Sequence, residues 1–181
     1  MKLMIASDIH GSAAYCRALA DAFNREAPDK LLLLGDILYH GPRNSLPDEY
    51  NPQEVTKILN RIKNKILCVR GNCDCEVDQM LLEFPVMADY CIVYFGGRTV
   101  FATHGHCYNE DKLPPLSEGD ILLCGHTHVP ACRSSNGILY LNPGSVSIPK
   151  EKSHHGYMIF EDKNSVWKDL DGNVIKTEEI F

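Results

Sequence analysis

Apolar residues fall into five short unbroken runs, and each run stops at a residue able to ligate a metal. Met4-Ile5-Ala6-Ser7 leads into Asp8 and His10, and Leu31 to Leu34 leads into Gly35-Asp36. Ile66 to Arg70 leads into Gly71-Asn72, Thr99 to Thr103 into His104-Gly105-His106, and Ile121 to Cys124 into Gly125-His126-Thr127-His128. A run without polar alternation predicts a strand buried on both faces. Polar residues just past the ends of such strands sit where an open α/β sheet binds ligands. Two carboxylates, an amide and several imidazoles arriving together are a donor set for two divalent metals.

The segments between the runs carry helix and turn signals. Ser12 caps a predicted helix over residues 12–25, with Ala14, Ala18, Leu19 and Phe23 near one face and Pro28 beyond its end. Pro52 opens a second helix reaching Lys63, with Val55, Ile58, Leu59 and Ile62 in register. A short helix is expected from Asp74 to Leu82, and His40 to Asn51 reads as a polar loop. With strands at 2–7, 30–34 and 65–70, the first half is βαβαβ with right-handed crossovers. After Met87 the pattern is strand-like, at 90–95, 98–103, 120–124, 131–133, 138–141, 156–161 and, in pieces, 165–180. Gly96-Gly97 and Ser135-Asn136-Gly137 are hairpin turns. The expected fold class is α/β, with two packed mixed β-sheets flanked by helices in a single domain over residues 1–181.

Charge and cysteine usage narrow the partners. The net charge of −6 argues against an extended nucleic acid. It leaves room for a small phosphate ester, because bound cations supply local positive charge. No apolar run nears the ~20 residues of a membrane span, and the N-terminus enters a strand with no signal-peptide pattern. The expectation is a cytoplasmic protein with no membrane partner; a homo-oligomer is left open. None of the eight cysteines forms a Cys-x-x-Cys pair, which removes zinc ribbons and thioredoxin motifs. Cys68, Cys91 and Cys124 lie inside apolar runs, as core thiols do.

Taken in order, Asp8-x-His10, Gly35-Asp36, Gly71-Asn72, His104 and Gly125-His126-x-His128 resemble the five motifs of the calcineurin-like metallophosphoesterase superfamily. Finer stretches are similar to the bacterial YfcE-type phosphodiesterases: the ten residues from Gly35, the eleven from Arg70 and the ten from Leu141. The resemblance implies an αββα sandwich and a metal-dependent hydrolase of a small phosphodiester, working through a dinuclear centre and a bridging hydroxide. Asp8, His10 and His128 would hold one ion, Asn72, His104 and His126 the other, and Asp36 both. Mn²⁺ is the implied metal; the donors also suit Zn²⁺, Fe²⁺ or Ni²⁺.

Asn72 and Cys73 are the candidate catalytic residues. The Asn72 amide can ligate a metal and hydrogen-bond the phosphate. Many superfamily members carry a histidine where Cys73 stands, and it protonates the leaving oxygen. A thiol is a weak donor with a reference pKa of about 8.5, so leaving-group protonation should be poor. Arg43 is a candidate phosphate contact, since its fork fits two phosphate oxygens. His106 is a candidate to bind phosphate or to orient His104. Leu46, Pro47, Tyr50 and Tyr108 are placed by position to shape the pocket. The alternatives are a phosphomonoesterase or cyclic-nucleotide phosphodiesterase, and a non-catalytic protein-binding scaffold resembling the retromer subunit Vps29. The complete set of seven donors weighs against the scaffold.

Overall fold

The computed structural model describes residues 1–180, with Ser135 described by its backbone alone. The chain runs β1 (Leu3–Ala6), α1 (Ala13–Glu26), β2 (Lys30–Leu33), α2 (Pro52–Asn60), β3 (Ile66–Cys68), α3 (Glu76–Leu81), β4 (Tyr90–Phe95), β5 (Arg98–Thr103), β6 (Ile121–Leu123), β7 (Ala131–Ser135), β8 (Ile138–Asn142), β9 (Gly156–Glu161), β10 (Asn164–Asp169) and β11 (Val174–Glu179). Six strands form one sheet in the order β11-β10-β9-β1-β2-β3, and five form the other in the order β4-β5-β6-β8-β7. Both sheets are mixed, as expected. Strands β1, β2 and β3 are mutually parallel, and so are β5, β6 and β8.

Successive residues of β1 and β2 serve two different cores, which is why these strands show no polar alternation. Met4, Ala6, Leu31 and Leu33 face the helices, among Cys16, Leu19, Phe23, Val55 and Leu59. Leu3, Ile5 and Leu32 face the second sheet, among Val100, Ala102, Ile121, Leu123 and Leu141. Helices α1 and α2 cover the outer face of the first sheet. Among the described residues no helix covers the outer face of the second. There the loop after β5 lays Tyr108 and Leu116 over Phe101, Leu122 and Tyr140.

Element ends differ from the expected ones for local reasons. Helix α1 starts as predicted, the Tyr15 N–H donating to Ser12 Oγ at 3.3 Å, and ends at Ala27 in a left-handed turn before Pro28. Its buried face is Ala13, Cys16, Leu19, Ala22 and Phe23, so Ala14 and Ala18 lie at the margin. Helix α2 stops at Asn60, not Lys63, and the Asn60 side chain bonds the Leu81 carbonyl and the Glu83 N–H, tying the helix end to the segment after α3. A 3₁₀ turn at Lys63–Lys65 then leads into β3. Helix α3 begins at Glu76, two residues later than expected, because the Asp74 side chain is committed elsewhere. The two hairpin turns form as expected, with Gly96, Gly97, Asn136 and Gly137 all at positive φ.

Candidate metal centre

The parallel strands deliver their C-terminal loops to one rim, and the loops are stitched together there. Asp8 N–H donates to the Gly35 carbonyl (3.1 Å), His10 N–H to the Asp36 carbonyl (2.9 Å) and Gly125 N–H to the His104 carbonyl (2.8 Å). A Cβ at Gly71 would strike the Asp36 side chain and backbone, and one at Gly125 would strike Ser7 Oγ. Glycine before Asn72 and before His126 is therefore a steric requirement of loops packed this closely. Five donor-bearing residues adopt left-handed backbone: Asp8 (φ 60°), His10 (50°), Asp36 (56°), His126 (65°) and His128 (63°). Such conformations are uncommon outside glycine, and they gather where a site overrides local preference.

The side chains converge in two groups that meet at Asp36. In the first, Asp8 Oδ1 lies 3.5 Å from His10 Nε2 and 3.3 Å from His128 Nε2, and the two Nε2 atoms are 3.4 Å apart. In the second, His104 Nε2 lies 3.1 Å from Asn72 Oδ1 and 3.2 Å from His126 Nδ1. Asp36 Oδ2 stands between them, 3.7 Å from His10 Nε2 and 3.4 Å from His104 Nε2. All seven predicted donors are brought together.

The tautomers are fixed from outside. His10, His104 and His128 each turn Nδ1 to a backbone carbonyl, those of Tyr39 (2.9 Å), Leu34 (2.6 Å) and Ile148 (2.7 Å). A carbonyl only accepts, so Nδ1 carries the proton, and Nε2 presents a lone pair in the neutral ring. Lone pairs and carboxylate oxygens then face one another across short gaps. Asp8 Oδ1 is buried with no hydrogen-bond donor. That arrangement is costly for protein atoms alone and suits divalent cations.

The electrostatics reflect this crowding. Burial disfavours a charged His104, yet the Asp36 and Asp8 carboxylates outweigh it and hold its pKa up at about 9. His10 is likewise raised against its burial, by Asp8. Burial lowers His126 and His128. Burial and then the Asp36 charge push the Cys73 thiol up to about 12, so it stays protonated and neutral.

A cleft of about 490 Å³ opens over the two groups, with Arg43, Asn44, Asn72, Cys73, Thr127 and Lys150 in its walls. Arg43 is thus in the cleft. His106 is not among the lining residues; its ring lies 5.4 Å from that of His104, whose Nδ1 is already taken by Leu34. Tyr108 packs edge-on against Phe101, and Tyr50 edge-on against His40. Neither tyrosine lines the cleft, and nor do Leu46 and Pro47.

Several residues that position the site lie outside the five donor motifs. The buried Asp74 carboxylate accepts from Asp36 N–H (2.8 Å), Ile37 N–H (2.8 Å) and Gly71 N–H (2.7 Å), locking the β2 and β3 loops together. The Asp8 carbonyl accepts from Ser145 Oγ (2.9 Å) and Ser147 Oγ (3.0 Å). Asn142 Nδ2 donates to the Gly125 carbonyl (2.7 Å) and to Thr127 Oγ1 (3.1 Å). The Asn-Pro-Gly-Ser segment therefore bolts the Asp8 loop to the His126 loop.

Comparison with known proteins agrees with this architecture. Residues 1–165 match the calcineurin-like phosphoesterase superfamily domain. The chain is 45% identical over 162 residues to the phosphodiesterase YfcE of Escherichia coli, covering 90% of this chain and 88% of that one. The solved structure of that E. coli phosphoesterase superposes with a TM-score of 0.96 at 42% identity over 100% of both chains. A zinc complex of Vps29 from Entamoeba histolytica, at 21% identity and a TM-score of 0.59, shares the fold alone over 98% of this chain and 97% of that one. The family match spans most of the chain and its site, and the chain belongs to the calcineurin-like phosphoesterase superfamily.

Proposed function

We propose that the chain, acting as one domain, is a cytoplasmic metal-dependent phosphodiesterase for small phosphodiesters. Asp8, His10 and His128 hold one divalent ion in this reading, Asn72, His104 and His126 a second, and Asp36 both. The observation that carries it is the position of Asp36 Oδ2, within 3.7 Å of one imidazole from each group. The 45% identity to a relative named a phosphodiesterase supports the reaction class. Mn²⁺ is the metal we propose. Bound there, the two ions would supply a hydroxide nucleophile near neutral pH and neutralise charge at phosphorus.

The chain's own residues do the rest. The fixed Nδ1–H tautomers hold the rings in ligating orientation. Asn72 donates its amide Nδ2–H toward Cys73 Sγ at 3.2 Å and sits where that amide can also reach a phosphoryl oxygen. Arg43, in the cleft wall, offers a two-pronged contact to a phosphate group of the substrate. The test is a panel of mono- and diesters with Mn²⁺, Mg²⁺, Zn²⁺ and Ni²⁺, together with metal analysis. Diester turnover with about two ions per chain is expected; a metal-free chain inert to every ester would favour a protein-binding scaffold.

Acidification should release the metal. His104 and His10 have raised pKa values through their carboxylate neighbours, so a cation must displace protons from them. Apparent affinity is therefore expected to rise with pH until about 9 and to fall steadily below it. At about pH 4.5, below the reference histidine pKa, the protein should lose its metal and regain it on neutralisation. Metal content after desalting at each pH reads this out; full occupancy at the acid end would contradict it.

Cys73→His should raise kcat/KM most for diesters with basic leaving groups. The wild-type thiol is neutral and a weak donor, and general acid catalysis is worth about 10²–10⁴-fold. Cys73 lines the open cleft, so an imidazole has room there. Measured across leaving groups of graded pKa, the gain should grow with pKa; a uniform gain would show that position 73 does not protonate the leaving oxygen.

A further inference from the structure

Two cations in the cleft have no partner. Arg43 and Lys150 both line it, and neither side chain makes an ion pair or hydrogen bond with any described residue. The one carboxylate in the lining is Asp36, which belongs to the metal centre. In a chain of net charge −6, the cleft wall beyond the metal donors is thus locally positive.

Both cations stand on fixed backbone. Arg43 sits in a turn closed by Asn44, whose Nδ2 donates to the His40 carbonyl at 2.9 Å. Lys150 N–H donates to the His128 carbonyl at 3.1 Å, and the Lys150 carbonyl accepts from Ser153 Oγ at 2.6 Å. Lys150 also closes the stretch from Leu141 whose inner residues hold the Asp8 and His126 loops, so its position is tied to the metal centre.

The charge balance shows what these cations are for. This step rests on the phosphodiesterase reading above. Two divalent ions set against the Asp8 and Asp36 carboxylates and one hydroxide leave a single positive charge. A phosphodiester carries a single negative charge and cancels it. Arg43 and Lys150 are then in excess for a simple diester.

We infer that Arg43 and Lys150 form a subsite for a second phosphate group, and that the preferred substrates are phosphodiesters carrying a further phosphate on one of the two esterified groups. A cleft of about 490 Å³ admits a ligand of nucleotide size. Charge-assisted hydrogen bonds to phosphate give each cation a contact about twice as strong as a neutral one.

The test reads binding without turnover. Calorimetry on the Mn²⁺-loaded protein, with no free metal, compares adenosine 5′-monophosphate with adenosine 3′,5′-bisphosphate. The wild type should bind the bisphosphate about tenfold more tightly, a difference of about 1.4 kcal/mol. Arg43→Gln and Lys150→Gln should each shrink that ratio, and the double variant should bring it near one. Raising salt should shrink the wild-type ratio as well. Equal wild-type affinities, or a ratio that survives in the double variant, would overturn the subsite. Turnover of bis(4-nitrophenyl) phosphate is measured separately. Its absence would count against the proposed function, while the binding ratio alone decides the subsite.

Discussion

Replacing Asp36 by alanine should cost at least about 10³-fold in diester hydrolysis, in a protein that still folds. The carboxylate is the one donor placed to serve both groups, with Oδ2 near His10 and His104 and Oδ1 accepting the Cys73 N–H at 2.8 Å. In the proposed centre its removal takes away the shared ligand, so metal content should fall from about two ions per chain to one or fewer. The fold survives because the loss is mixed. One partly buried N–H loses its partner, at about 1 kcal/mol, but the desolvation of a carboxylate close to Asp8 is relieved. Asp36→Asn keeps an acceptor for Cys73 and removes the charge, so it separates the backbone role from the metal role. Wild-type turnover with two ions in Asp36→Ala would refute the shared-ligand assignment.

Asp74 should have the largest effect on stability. Its carboxylate is the sole side-chain acceptor recorded for three backbone N–H groups, those of Asp36, Ile37 and Gly71. Alanine leaves all three buried donors without a partner. At about 1–3 kcal/mol each, and with part recovered by no longer burying a charge, a net loss of about 3 kcal/mol is expected. For a chain of this size that lowers Tm by about 6–12 °C. Asp74→Asn should fall between the two. Its amide oxygen can serve Asp36 and Gly71, which share Oδ2, while its NH₂ group confronts the Ile37 N–H. Melting curves taken with chelator present isolate this effect from metal loss. An alanine variant as stable as wild type would show that the three donors find water instead.

The donors were legible in the sequence because each follows an apolar run directly. The strand predicts the position, and the residue type predicts the chemistry. The same holds for Ser12 and for the Asn136-Gly137 turn, where signal and structure lie within four residues of each other. What stayed hidden acts across long separations. Asp74 reads locally as the start of a short helix, yet its partners include residues 37 and 38 positions away. Ser145 and Ser147 reach back 137 and 139 positions to the Asp8 carbonyl. The end of α2 is tied by an asparagine side chain to the chain 21 and 23 positions on. The cover of the second sheet likewise rested on a loop with no periodic pattern to announce it.

The split of the donors between the sheets has a consequence for how the protein is made. Asp8, His10, Asp36 and Asn72 follow strands of the first sheet, whereas His104, His126 and His128 follow strands of the second. Each proposed ion draws on both. A ribosome that has released only the first half of the chain has therefore produced no complete set of ligands. In the proposed centre, capture of metal has to wait until the later strands have emerged and docked, so loading would mark the end of assembly. A half-made chain has little hold on the cell's metal pool, and an ion bound early by stray donors has no complete site in which to be trapped.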